Sequence, residues 1–141
     1  MRRGCATISG AVLTYKGPPD GGKHKSREEL ELELSDAHTI GAIFDRLAYH
    51  PAFRYEKFRT EFRQSGFSRV ATGRVATCGV AMVDETPIGV YLELEGSPAW
   101  IDHTACQLGF SEKDYITASY ARLYMEWCEA RCVEPGDMLF A

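Results

Sequence analysis

Apolar and charged residues alternate along three stretches of this chain. Glu29-Leu30-Glu31-Leu32-Glu33-Leu34, Lys57-Phe58-Arg59-Thr60-Glu61-Phe62-Arg63 and Leu92-Glu93-Leu94-Glu95 change character almost residue by residue. Successive side chains of a strand point to opposite faces. Each stretch therefore predicts a strand with one charged face and one mostly apolar face.

Between clear breakers the remaining chain reads as further strands and helices. Ala6 to Lys16 predicts a strand, Gly17-Pro18-Pro19-Asp20-Gly21-Gly22 a turn, and His24 to Leu34 a returning strand. Asp36 is placed to cap a helix carrying Ile40, Ile43, Phe44 and Leu47 at helical spacing, with Pro51 beyond its end. Arg54 to Arg63 predicts a strand, and residues 64–78 are ambiguous, with Ser, Gly, Thr and Arg interrupting short apolar pieces. Gly79 to Val83 and Ile88 to Glu95 predict a strand pair joined by Asp84-Glu85-Thr86-Pro87. Ser97 and Pro98 open a helix that carries Ile101, Ala105 and Leu108 and stops at Gly109. Ser111 and Asp114 have capping-box spacing, which predicts a last helix running through Tyr115, Ile116, Ser119, Tyr120, Leu123 and Trp127. The expected class is α+β, largely antiparallel, with about three helices.

Composition narrows the function classes. A length of 141 residues fits one domain with a core of its own. A formal net charge of −4 gives no basic field, so nucleic acid is not an expected partner and any anion site must come from local clustering. No apolar run approaches a membrane span, and no apolar signal core follows Arg2 and Arg3, so the expected setting is cytoplasmic with no membrane contact. Five cysteines without tight metal spacing read as reduced thiols, Cys128 and Cys132 sharing a helix face. His24, His38, His50 and His103 read as surface residues and Asp102 as solvated; Tyr115, Tyr120 and Trp127 read as core packing.

Alternation alone is what any antiparallel sheet with one wet face shows. Two features point further. Glu29, Glu31 and Glu33 are like charges two apart on one face and repel unless cations lie near; Glu93 and Glu95 repeat the arrangement. Lys16, Arg27, Lys57, Arg59 and Arg63 supply the opposite sign from other segments. Were the sheet to close into a barrel, these rows would converge inside it. Paired carboxylates suit Mg²⁺ or Mn²⁺, and Arg and Lys hold phosphate oxygens. Together they would hold a metal–triphosphate chelate.

The segments Leu13-Thr14-Tyr15-Lys16-Gly17-Pro18, Arg27-Glu28-Glu29-Leu30-Glu31, Tyr55-Glu56-Lys57-Phe58-Arg59, Val83-Asp84-Glu85-Thr86-Pro87-Ile88-Gly89, Leu92-Glu93-Leu94-Glu95-Gly96 and Ser119-Tyr120-Ala121-Arg122-Leu123 stand in the order seen in CYTH domains, the triphosphate tunnel metalloenzymes. The Asp84 run and Tyr115 to Tyr120 most resemble the class IV adenylate cyclase branch. The resemblance covers most of the chain as a single CYTH domain. It implies an antiparallel β-barrel tunnel that binds a triphosphate and Mg²⁺ or Mn²⁺. Lys16, Lys57 and Arg59 would be catalytic and bind phosphate, joined in phosphate binding by Arg3 and Arg27. Glu29 and Glu31 would line the tunnel, and Glu93, Glu95 and Asp84 would hold metal. The family's opening strand bears Glu-x-Glu-x-Lys. Here Glu-x-Glu occurs at 29/31, 31/33 and 93/95, never followed by x-Lys, so the chain reads as lacking that strand. Residues 64–78 are longer than the family's hairpin at that place and read as a lengthened hairpin of no assigned function.

Three functions follow from the resemblance. The first is conversion of ATP to cyclic AMP and pyrophosphate. The second is hydrolysis of inorganic, thiamine or nucleoside triphosphate. The third, from the missing strand, is non-catalytic triphosphate or nucleotide binding. A barrel holding an apolar ligand is disfavoured by the glutamate rows. Expected partners are ATP or another triphosphate, with a homodimer left open.

Overall fold

The computed structural model describes residues 10–64, 67–70, 73–76 and 79–141. Arg3 and the start of the first predicted strand, residues 6–9, lie outside the described residues. The backbone divides into two units, Met1–Ala52 and Phe53–Ala141.

In the first unit, β1 (Ala11–Lys16) and β2 (Glu29–Leu34) pair antiparallel. Lys16 stands opposite Glu29, Thr14 opposite Glu31 and Val12 opposite Glu33. Opposed residues share a face. The glutamates thus lie on one face, and Leu30, Leu32 and Leu34 on the other with Tyr15, Leu13 and Ala11. The second strand starts at Glu29, later than the expected His24, because the preceding residues form a loop. The Gly17 N–H donates to the Glu28 carbonyl at 2.9 Å, and the Asp20 N–H to the Ser26 carbonyl at 3.0 Å. Helix α1 (Ala37–Arg46) begins where expected: the Asp36 carboxylate accepts from the Thr39 N–H at 3.0 Å.

The second unit is built on a three-stranded antiparallel sheet in the order β3 (Phe58–Gln64), β6 (Gly79–Thr86), β7 (Gly89–Gly96). Between β3 and β6 in the chain, β4 (Phe67–Val70) pairs antiparallel with β5 (Gly73–Ala76); the rest of the expected hairpin, residues 65–66, 71–72 and 77–78, lies outside the described residues. The first strand of the β6–β7 hairpin is longer than expected. Asp84 lies in the middle of the β6–β7 ladder opposite Tyr91, not in the connection, which shrinks to Pro87 and Ile88. The Thr86 hydroxyl donates to the Gly89 carbonyl at 2.7 Å, and Gly89 takes φ +145°, a conformation L side chains rarely adopt.

Helix α2 (Pro98–Gln107) has Ser97 as N-cap and Pro98 at its first position, as the sequence predicts. It ends in a Schellman turn: Gly109 takes φ +88°, its N–H donates to the Cys106 carbonyl at 3.0 Å, and the Phe110 N–H to the Ala105 carbonyl at 2.9 Å. Trp100 of α2 lies against the start of β6. A Cβ on Gly79 would come within 2.2 Å of the indole, so only glycine admits this contact.

The last helix departs from expectation. Ser111 does bond Asp114, its N–H and hydroxyl each donating to the carboxylate at 2.8 Å. That motif starts only a 3-10 turn, Glu112–Asp114. Tyr115 is extended at ψ 127°, and the Ile116-Thr117 pair that follows is β-branched and propagates helix poorly. Helix α3 (Tyr120–Arg131) begins later, capped by Ser119. Cys132 falls just past its end at φ 54° and is exposed, while Cys128 is buried, so the two do not share a helix face.

The architecture is mixed α+β with antiparallel ladders. No closed barrel is formed by the strand pairings among the described residues. Nor is any described helix long and apolar enough to cross a membrane.

Candidate functional site

Register places the charges of the second unit in rows. Arg59, Asp84 and Tyr91 are opposed across β3, β6 and β7; Glu61, Met82 and Glu93 form the next row, and Arg63, Val80 and Glu95 the one after. All share one face. The other face carries Phe58, Phe62, Leu92 and Leu94 by the same alternation. The period-two pattern is thus translated directly into a sheet with an ionic side.

At the centre is Asp84, with 0% of its surface exposed. Arg59 binds it with both arms of its guanidinium, Nε to Oδ1 and Nη2 to Oδ2, each at 2.7 Å. Lys57 Nζ donates to Oδ2 at 2.7 Å, and the Tyr120 hydroxyl donates to the same oxygen at 2.7 Å. Glu93 completes the cluster. It accepts from Arg59 Nη2 and lies 3.9 Å from Lys57 Nζ. Lys57 also sits 4.9 Å from the centre of the Tyr120 ring, within cation–π range. Tyr55 and Tyr91 pack on Tyr120 at 5.6 and 5.5 Å between ring centres. An open cleft of about 610 Å³ beside β3 is lined by Tyr55, Glu56, Lys57, Phe58 and Phe140.

The partners decide the protonation states. Burial alone would push the Asp84 carboxyl up; the bonds from Arg59, Lys57 and Tyr120 outweigh it and hold the group far below the usual carboxylate range. Its bond to Asp84 holds the Arg59 proton more firmly than usual. Burial, reinforced by the bond to Asp84, keeps the Tyr120 phenol protonated well above its ordinary range. Two basic and two acidic side chains meet in the cluster, and the basic ones are only part-covered: the side chains of Lys57 and Arg59 are 21% and 30% exposed.

A second cluster stands in the first unit. Lys16 Nζ lies 2.9 Å from each oxygen of Glu29, and Arg27 Nε donates to Glu29 at 2.9 Å. The bonds from Lys16 and then Arg27 draw the Glu29 carboxyl below its usual range. Glu31 lies exposed on the same strand face, opposite Thr14. The structure thus joins Lys57, Arg59, Asp84 and Glu93 in one group and Lys16, Arg27 and Glu29 in another. Glu95 shares the face of Glu93 one row away and is exposed; Arg3 lies outside the described residues.

Among the described residues no three His, Cys, Asp or Glu side chains come together to hold a metal ion. Donor chemistry distinguishes the three expected ligands. Glu93 and Glu95 are partly or fully exposed oxygen donors of the kind Mg²⁺ and Mn²⁺ prefer. Asp84 is unlike them: its two oxygens already accept from Arg59, Lys57 and Tyr120.

Tyr120 has a part in the cluster that the sequence reading missed, having taken it as packing. Its hydroxyl is the signal: a buried tyrosine needs a polar partner, and Asp84 was already singled out. Asp102, expected to be solvated, instead accepts from the Tyr115 hydroxyl at 2.9 Å. Comparison with family models, curated proteins and solved structures gives no match.

Proposed function

We propose that this chain binds a triphosphate with Mg²⁺ or Mn²⁺ and acts as a CYTH-type enzyme of the class IV adenylate cyclase kind, turning ATP into cyclic AMP and pyrophosphate in the cytoplasm. The closed tunnel is part of this proposal. One observation supports it above all: Arg59, Asp84 and Glu93, singled out by the sequence motifs, come from three strands onto one sheet face, and Lys57, just ahead of β3, reaches the same Asp84 carboxylate.

The chemistry asked of these residues is mainly electrostatic. Asp84 fixes the direction of Lys57 and Arg59 through its bonds to both. Each cation retains donors beyond those Asp84 takes. Lys57 and Arg59 bind phosphate oxygens and offset the charge that builds on departing pyrophosphate. Lys16 and Arg27 of the first unit are proposed as phosphate-binding residues in their own right, with Glu29 and Glu31 on the same strand pair as Lys16. A bound metal, held by Glu93 and Glu95, would supply further charge neutralisation on the phosphates. In the reaction, the ribose 3′-oxygen bonds to the α-phosphorus, the bond from that phosphorus to pyrophosphate breaks, and the hydroxyl proton passes to solvent.

Incubation of the protein with ATP and Mn²⁺ tests this reading. Cyclic AMP and pyrophosphate should form in equal amounts. Orthophosphate without cyclic AMP would replace the cyclase by a triphosphatase. Metal-dependent triphosphate binding without turnover would leave a binding protein. No binding at all would end the proposal.

A further inference from the structure

We propose that the segment Asp137–Phe140 is a positioning strap that sets where Lys57 stands, an inference that rests on the phosphate-binding role just proposed for Lys57.

Lys57 falls outside the β-ladder. The pairing of β3 with β6 begins at Phe58, opposite Glu85. β3 is also an edge strand, so on its other side no strand of that sheet orders Arg54–Lys57. The backbone there is held by a different part of the chain. Met138 and Tyr55 form a parallel bridge, the one parallel pairing among the described residues. The Met138 N–H donates to the Arg54 carbonyl at 2.9 Å, and the Glu56 N–H donates to the Met138 carbonyl at 3.0 Å.

Side chains extend the grip on both flanks of Lys57. Asp137 Oδ1 accepts from the Arg54 N–H at 3.0 Å. Glu56 accepts from the Phe140 N–H at 3.3 Å, and the Phe140 and Phe58 rings lie 4.8 Å apart. Met138 anchors the segment, with 1% of its surface exposed. The same bridge reaches the other side of the cluster, because the Tyr55 ring packs on Tyr120, which donates to Asp84. A shift of this segment would therefore displace Lys57 and Tyr120 together, and displacements near 1 Å cost phosphate-binding sites heavily.

Calorimetric titration of inorganic triphosphate in Mn²⁺ tests the strap in the full chain. Phe140→Ala should weaken binding by about tenfold, Phe140→Tyr should restore it, and the unfolding midpoint should hardly move. In a double-mutant cycle, Phe140→Ala should add little to the loss caused by Lys57→Ala; fully additive losses would show that the segment acts elsewhere and overturn the proposal. Native-like affinity in both Phe140→Ala and Met138→Ala would overturn it as well. Should neither variant fold, hydrogen exchange of the native chain decides. Glu56 and Met138 amides as protected as those of β6 uphold the strap, and exchange at free-chain rates removes it. A native chain that binds no triphosphate overturns the phosphate-binding reading, and this inference with it. A native chain that binds, with variants that bind equally, overturns this inference alone.

Discussion

Arg59 meets Asp84 arm to arm: Nε and Nη2 each reach a separate carboxylate oxygen at 2.7 Å, and the carboxylate has no exposed surface. A desolvated charge of this kind is tolerable only while its partners remain. Lys57 and Tyr120 add two more bonds to Oδ2. Asp84 is thus first a structural anion that holds two cations in place. Asp84→Asn should lower stability by about 3 kcal/mol, read from chemical denaturation, because Lys57 and Arg59 lose their common counter-charge. An unchanged denaturation midpoint would mean that the four groups do not assemble in solution.

Acid should act through the same carboxylate. Its folded pKa is depressed by Arg59, Lys57 and Tyr120 despite burial. The stabilisation is therefore fully present above the unfolded value of about 3.9 and is lost as pH falls from there towards the folded value. The stability gap between the native protein and Asp84→Asn should be constant near neutrality and narrow below about pH 4. Denaturation curves at several pH values measure it. A gap that stays constant through the acid range would contradict the linkage.

Lys57 divides its work differently. Removing it leaves Asp84 with Arg59 and Tyr120 as partners, so the fold keeps most of the cluster. Phosphate binding loses a cation that is part-exposed. Lys57→Ala should therefore weaken triphosphate binding by at least about tenfold, the scale of one lost charge-assisted hydrogen bond, with a smaller loss of stability than Asp84→Asn. Equal affinity for triphosphate at saturating Mn²⁺ would remove Lys57 from the site.

Lys16 offers the converse test. Its pair with Glu29 is largely exposed, at 47% and 38% of the two side chains, and exposed ion pairs contribute less than about 1 kcal/mol. Lys16→Ala should leave the denaturation midpoint close to native. If Lys16 binds phosphate, the variant should still lose triphosphate affinity, and loss without unfolding is the signature to look for in parallel calorimetry and denaturation. Native affinity would confine Lys16 to its surface pair.

How far these features could be read from the sequence depended on whether their signal was local. Alternation at Lys57–Arg63 and Leu92–Glu95 placed the charged face correctly, because strand period is a local property. The caps at Asp36 and Ser97 were equally readable. The sequence puts Asp84 in the connection Asp84-Glu85-Thr86-Pro87, whereas the ladder runs on to Thr86 and the partners of Asp84 lie 25 to 36 positions away, beyond the reach of a local pattern. The Ser111 motif was read as the start of a long helix, but a cap cannot carry a helix through Ile116 and Thr117. The pairing of Met138 with Tyr55 has no sequence signal, since an isolated bridge has neither period nor turn.

Glu93 gives the sharpest prediction for the proposed site. Glu93 accepts from Arg59 Nη2 and lies near Lys57, so it competes with phosphate oxygens for the same donors. A metal drawn to Glu93 and Glu95 would weaken that competition, and linkage then requires metal and triphosphate to tighten each other's binding. Glu93→Gln removes the competing charge and a ligand together. Calorimetry with inorganic triphosphate should show the variant binding more tightly than native protein in metal-free buffer, and less tightly in Mn²⁺. The native protein should gain at least about fivefold on adding Mn²⁺, and the variant much less. If Glu93→Gln shifts affinity by the same factor and in the same direction with and without Mn²⁺, the carboxylate is not where metal and phosphate are coupled.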